Sequence, residues 1–293
     1  MPYIDTTEFE KGINAKLDTR TYQKLRNCAL SYEILSKTEY DKWLITIYNE
    51  LINLYDHPES CAGPHRRFVW ENGWENSIDS GNNIPGYFVK YPVVRWMREL
   101  VQPQNINFEY DIFTILQYWL FGRYMSTAKS IYEFGCGTGH NLPRVREINP
   151  TAIIYGLDWA ESACELVIKN GFKSHKFDMF QPDDFILDQN SVVYTVASME
   201  QLGDNFMKFV AYLLQQKPAL VLHIEPIIEF LDPTNLLDYF SIQYCLFRGY
   251  LHGYLPYLKH LESEGKIEIL QAQRTYIGSL FIDGYSVIAW RVV

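Results

Sequence analysis

Three glycines at alternate positions, Gly135, Gly137 and Gly139, follow a short apolar run and an acid, Glu133, in the stretch IYEFGCGTGHNL. A strand, a bare loop and a helix start in that order offer backbone N–H groups to a ligand, and glycine lets the ligand approach the main chain closely. The spacing is G-x-G-x-G rather than the G-x-G-x-x-G of a dinucleotide site, because His140 stands where the third glycine would fall. The Gly-Lys-Ser/Thr ending of a phosphate loop is missing too. Glu133 would repel a pyrophosphate but suits a cationic or amino-bearing ligand. Two more acids close later apolar runs, Asp158 in YGLDWA and Asp178 in KFDMF. An acid ending the second strand can accept both hydroxyls of a ribose. Asp178 can take an adenine amino group, with Met179 and Phe180 as apolar cover.

Taken together, YEFGCGTGHNL, YGLDWA and KFDMF resemble the cofactor half of the class I S-adenosylmethionine-dependent methyltransferases of the small-molecule type. The resemblance covers residues 126 to 293 and leaves the first 125 outside it. It implies S-adenosylmethionine as cofactor, with S-adenosylhomocysteine as product. It implies an α/β fold with a Rossmann-like, doubly wound, mostly parallel seven-stranded sheet and an antiparallel C-terminal edge, here with an N-terminal helical extension. It assigns Glu133, Gly135, Cys136, Gly137, Thr138 and Gly139 to the loop site, Asp158 to ribose, Trp159 to an adenine face, and Asp178 with Met179 and Phe180 to adenine. Ser198, ending the fourth strand, completes the set. The segment TVASMEQLGD also resembles the family's motif after that strand, with Met199, Glu200, Gln201 and Leu202 where many members have Leu-Glu-His-Leu. Gln201 departs from that pattern, so no histidine role carries over.

Methyl transfer from a sulfonium is an in-line displacement, so an enzyme must position the acceptor and, for a hydroxyl, remove its proton. Candidates belong at the C-terminal strand ends. His223 and Glu225 in LVLHIEP are two residues apart on one strand, so alternation puts both on one side, where they could serve one site. Glu200 follows the fourth strand, as an acceptor contact or as a carboxylate favoured at a helix start. His252, in GYLHGYL, lies in a helical stretch that could cover the acceptor. His65, Arg66, Arg67, Arg95 and Arg98 stand in or beside an aromatic-rich segment with Trp70, Trp74, Tyr87, Phe88, Tyr91 and Trp96. The arginine forks match a phosphate or carboxylate on the acceptor, and equally the surface acids of this chain.

The elements that must position these groups are legible in the hydrophobic rhythm. Up to residue 125 the chain reads as helical, in TYQKLRNCALSYEILS, EYDKWLITIYNELINLY and YDIFTILQYWLFGRYM, interrupted by residues 57 to 88, whose Gly, Pro, Asn and Ser predict a long loop. Residues 57 to 98 are expected to form an acceptor pocket or lid. From 126 onward, short apolar runs alternate with helical segments, the mark of a parallel sheet with crossover helices. Strands are expected at 130–135, 152–158, 173–178, 191–198 and 218–226, then a helical stretch, then two runs, KIEILQAQRTYI and GYSVIAWRVV, as the edge.

Composition narrows the partners. The 293 residues carry a formal net charge of −9, which disfavours a nucleic-acid partner held by phosphate neutralisation. The beginning, MPYIDTTEFEKG, has no apolar stretch of leader length, and no later run reaches the roughly 20 apolar residues of a spanning helix. A cytoplasmic protein with no membrane partner is the expectation. Five scattered cysteines with no C-x-x-C pair indicate neither a disulfide framework nor a metal site. The reading is thus a methyltransferase for a small metabolite, oxygen preferred as acceptor because histidine and carboxylates are at hand as bases, with a sugar-like or secondary-metabolite building block as the acceptor class. The alternatives are a non-catalytic cofactor-binding partner or regulatory subunit, a protein or amine N-methyltransferase, and, by spacing the weakest, a dinucleotide oxidoreductase. The oligomeric state is left open.

Overall fold

The computed structural model describes residues 1–80 and 85–293. The first part of the chain forms α1 (Thr6–Gly12), α2 (Thr19–Arg26), β1 (Tyr32–Ile34), α3 (Lys37–Asp56), α4 (Arg67–Ser80), β2 (Val94–Trp96), β3 (Glu99–Pro103) and α5 (Phe108–Tyr124). Capping fixes the early starts. Asp5 and Asp18 accept the amides of Glu8 and Thr21, and Ser36 and Glu39 make a reciprocal capping box on α3.

Helix, strand and helix then alternate through β4 (Ser130–Phe134), α6 (Leu142–Ile148), β5 (Ile153–Asp158), α7 (Glu161–Lys169), β6 (Lys173–Lys176), β7 (Val192–Val196), α8 (Met207–Gln216) and β8 (Leu220–Glu225). The chain finishes with α9 (Leu236–Phe247), α10 (Tyr254–Ser263), β9 (Ile267–Gln273), β10 (Ile277–Gly278) and β11 (Ser286–Val292).

Seven strands make one sheet in the order β6-β5-β4-β7-β8-β11-β9. The first five pair in parallel, and β11 runs antiparallel to both β8 and β9. Strands β4, β7 and β8 are buried along their whole length, as a sheet covered on both faces requires. One face packs under α5 and α6 through Ile112, Leu116, Phe121 and Val145. The other packs under α8 and α10 through Phe209, Leu213, Tyr254 and Leu258. The strand order reverses between β4 and β7, which opens a crevice at their carboxyl ends.

The fold bears out the expected sheet and the antiparallel edge, and N-terminal helices are present. Two expectations are corrected. The segment read as a long loop from 57 to 88 contains short 3-10 turns at Pro58–Ser60, Pro64–Arg66 and Gly86–Val89 and the 14-residue helix α4, while residues 81–84 lie outside the described residues. The helix is held by what it packs on, since Glu71 bonds to the start of α7. The N-terminal part is also not helical throughout, because β1, β3 and β2 join β10 in a second, four-stranded antiparallel sheet.

Candidate functional site

The crevice at the ends of β4, β5 and β7 is lined by Gly135, Asp158, Trp159, Phe177, Met179, Phe180, Ala197, Ser198, Gln201 and Leu202, together with Trp70 and Trp74 of α4. The glycine loop begins where β4 stops. Gly135 has φ +68°, and a Cβ there would stand 2.4 Å from the Cβ of Ser198, so glycine is required. Gly137 has φ +51°, and a Cβ there would meet the Trp74 indole at 2.9 Å.

Asp158 is buried at the end of β5. One oxygen accepts the Gly137 amide at 2.9 Å and the other the Ala160 amide at 3.0 Å. Burial pushes its carboxyl up to about 6 against the pull of these amides. The acid expected to meet a ribose therefore also ties the glycine loop to the neighbouring strand. Beyond it, Trp159 stacks on Phe180 with centroids 5.6 Å apart, and Met179 adds apolar wall. Asp178 follows β6, accepts the Phe180 amide at 2.9 Å and is ion-paired with Arg67 of α4. An aromatic wall with the Asp158 carboxylate in the lining, and with Asp178 next in the chain to Met179, suits a purine nucleoside.

Glu133 lies below the loop rather than in the cleft. Its oxygens are taken by Asn141 at 2.6 Å and Tyr194 at 2.8 Å, and burial pushes it up to about 7. Asn141 in turn accepts from Gln117 and Arg144, so the residue braces the loop through a buried network. Cys136, Thr138 and Gly139 are buried within the loop and do not line the cleft. Ser198 does line it, with its hydroxyl donating to the Phe134 carbonyl at 2.9 Å.

Neither His223 nor Glu225 is in the lining of the cleft. His223 is fully buried, with Thr195 at 2.8 Å on one ring nitrogen and Tyr254 at 2.7 Å on the other, and burial holds its pKa down to about 3. It faces α10 and Trp290, not the cleft. Both sides of β8 are packed, so alternation alone could not have told which side is wet. Glu225 accepts the amides of Ser198 and Met199 at 3.1 Å and of Glu200 at 3.3 Å, so it anchors the 3-10 turn Met199–Leu202; burial pushes it up to about 7. Glu200 sits on that turn, between Ser198 and the cleft-lining Gln201, whose amide donates to it at 3.1 Å. Burial, with Glu225 adding to it, pushes Glu200 up to about 8. His252 bonds the Tyr250 carbonyl at 3.0 Å in the connection between α9 and α10.

Three of the arginines considered for an anionic acceptor are engaged elsewhere. Arg95 is buried and donates to the carbonyls of Leu237, Leu280 and Phe281. Arg98 lies 5.2 Å over Tyr276, and Arg67 pairs with Asp178. Trp70, Trp74, Phe177, Ala197, Gln201 and Leu202 line the cleft outside the sequence-based set. The tryptophans stood in the aromatic-rich segment, and their spacing of four on one helix face was the available signal. Among the described residues no group of three or more His, Cys, Asp and Glu side chains is placed to hold a metal ion, and no helix is long and apolar enough to cross a membrane.

No family model matches the chain, and no curated protein matches it in sequence. Among solved structures, a geranyl diphosphate C-methyltransferase from Streptomyces coelicolor, solved with S-adenosylhomocysteine, is similar at a TM-score of 0.50 and 11% identity, over 80% of this chain and 100% of that one. Human N-acetylserotonin methyltransferase, solved with S-adenosylmethionine, is similar at 0.45 and 14% identity, over 84% of this chain and 66% of that one. The mitomycin 7-O-methyltransferase MmcR is similar at 0.45 and 14%, over 86% and 68%. The present chain thus spans about two thirds of the length of the latter two. The fold of this chain is that of the class I S-adenosylmethionine-dependent methyltransferases.

Proposed function

We propose that the protein is an S-adenosylmethionine-dependent methyltransferase acting on a small-molecule acceptor. The observation that carries this reading is the convergence, in one crevice at the strand-order reversal, of Gly135 at positive φ, Asp158 at the end of β5, and the aromatic wall of Trp159 and Phe180, with Asp178 next in the chain to the lining residue Met179. Asp158, Trp159, Met179, Phe180 and Asp178 would hold the nucleoside, and the Gly135–Gly137 backbone would pass the amino-acid portion. The bound sulfonium would supply the methyl group.

Of the candidate bases, Glu200 is our choice for the role. It stands on the turn after β7 beside cleft-lining residues, and a carboxyl raised to about 8 is matched to proton abstraction near neutral pH. Glu225 positions that turn, and His223 serves the core. Oxygen remains the acceptor atom in this reading, with a sugar-like or secondary-metabolite building block as the class to screen first. A second reading, an amine acceptor, is favoured by the burial of His223, because an amine needs less help in losing its proton than a hydroxyl.

Isothermal titration with S-adenosylmethionine and S-adenosylhomocysteine tests the premise: micromolar binding is expected, and no binding of either would remove the reading. A mass-spectrometric screen of hydroxyl and amine acceptors with labelled donor then separates an enzyme from a non-catalytic cofactor-binding subunit.

A further inference from the structure

Helix α4 carries Arg67, Trp70, Glu71 and Trp74 on one face, at spacings of three and four. Each of these residues has a task at the cleft. Trp70 and Trp74 stack with centroids 5.5 Å apart and wall the crevice opposite Gly135 and Asp158. The Glu71 carboxylate accepts the amides of Glu161 at 3.0 Å and Ser162 at 2.7 Å, filling two of the open donors at the start of α7. Arg67 reaches past Trp159, its guanidinium 5.4 Å over the indole, and pairs with one oxygen of Asp178. The other oxygen of Asp178 holds the Phe180 amide.

Both oxygens of Asp178 are therefore committed to the chain itself. The Phe180 amide belongs to the backbone of the turn after β6 and cannot leave without breaking that turn. The Arg67 side chain is 43% exposed and long, and can swing into water at little cost. Resting on the reading of the cleft as a nucleoside site, we propose that Arg67 is an internal competitor for Asp178: cofactor loading exchanges its guanidinium for the exocyclic purine amine, while Glu71 keeps α4 docked. On this account the N-terminal region is part of the cofactor site, and its arginine sets how fast the site fills.

The test follows tryptophan fluorescence in a stopped-flow experiment with S-adenosylhomocysteine as the probe, since Trp70, Trp74 and Trp159 all line the cleft. Arg67→Gln is expected to raise the association rate constant roughly two- to fivefold, the range an exposed ion pair commands, with little change in dissociation. Arg67→Lys, which keeps the charge, should stay near wild type. Added salt should speed association to wild type and not to Arg67→Gln. In an Asp178→Asn background the Arg67→Gln change should have no effect on association. Slower association or weaker binding in Arg67→Gln would make the arginine a direct ligand and overturn the proposal, as would rates unchanged by that substitution. Failure of the wild type to bind the probe would overturn the methyltransferase reading and this inference together.

Discussion

The amide of Gly137 donates to Asp158 at 2.9 Å, so the glycine loop and the second strand of the parallel sheet are fastened to each other through one carboxylate. Replacing Asp158 with asparagine keeps the volume but turns an amino group toward one of the two amides that the carboxylate serves. A hydrogen bond to a charged group is worth about 1.5–3 kcal/mol, so Asp158→Asn is expected to weaken S-adenosylhomocysteine binding by about tenfold or more. Titration calorimetry reads this directly, and unchanged affinity would detach Asp158 from the site.

Two acid–base candidates are expected to part company on mutation. Glu200→Gln should lower kcat by about 10²–10⁴ with cofactor affinity within a few-fold of wild type, and should remove the rise of kcat toward pH 8. His223→Ala, by leaving Thr195 and Tyr254 without their buried partner, should cost roughly 2–4 kcal/mol of stability. The fraction that remains folded should turn over at the wild-type rate. Urea unfolding together with steady-state kinetics on an acceptor found by screening distinguishes the two.

The contact between Gly137 and Trp74 can be tested as a pair. Gly137→Ala forces a methyl group to within 2.9 Å of the indole at a residue with φ +51°, and should weaken cofactor binding. In a Trp74→Ala background the crowding is gone and only the backbone strain remains, so the same substitution should cost less. A double-mutant cycle on Kd is expected to show coupling of about 0.5–3 kcal/mol. Strict additivity would mean that the indole does not press on the loop.

Stability should fall as pH rises from 6.5 to 9. Burial raises Glu109 and Glu200 to about 8 and Glu133 and Glu225 to about 7, all above their unfolded value. Groups raised in the folded state stabilise it while protonated, and that contribution is lost as pH passes the folded value. Below 6.5 the trend is opposed, because His140 and His223 are both held down to about 3 and the unfolded chain gains protons there first. Glu109→Gln, at a buried carboxyl bonded by Tyr285 at 2.7 Å, should flatten the slope between pH 7 and 9 in thermal unfolding without ligand. A midpoint that rises across that range would contradict the assignment.

The parallel sheet was legible because β4, β5, β7 and β8 are short apolar runs, three of them with a helix-period segment close behind, and because the acids Asp158 and Asp178 fall at or just past strand ends. Helix α4 was not, since Asn72, Gly73 and Asn76 suppress its local helical signal and its docking comes from Glu71 meeting the start of α7 and Trp74 meeting Gly137. The hairpin of β2 and β3 was hidden for a different reason. Its turn places Met97 and Arg98 at φ +51° and +70°, where glycine or asparagine would have announced it. The role of His223 turned on which side of a doubly buried strand faces ligand, and that depends on Tyr254, 31 residues away.

Ile277 and Gly278, in the two-residue strand β10, pair with Trp96 and Arg95. This short pairing closes a loop of chain that starts before the parallel sheet and ends after it. A cut at residue 125 would leave β1, β3 and β2 without their fourth strand, and would strip β10 of its partner between β9 and β11. The first 125 residues and the last 30 are accordingly bound to a single fate: neither segment can be exchanged for that of another protein unless the other is exchanged with it.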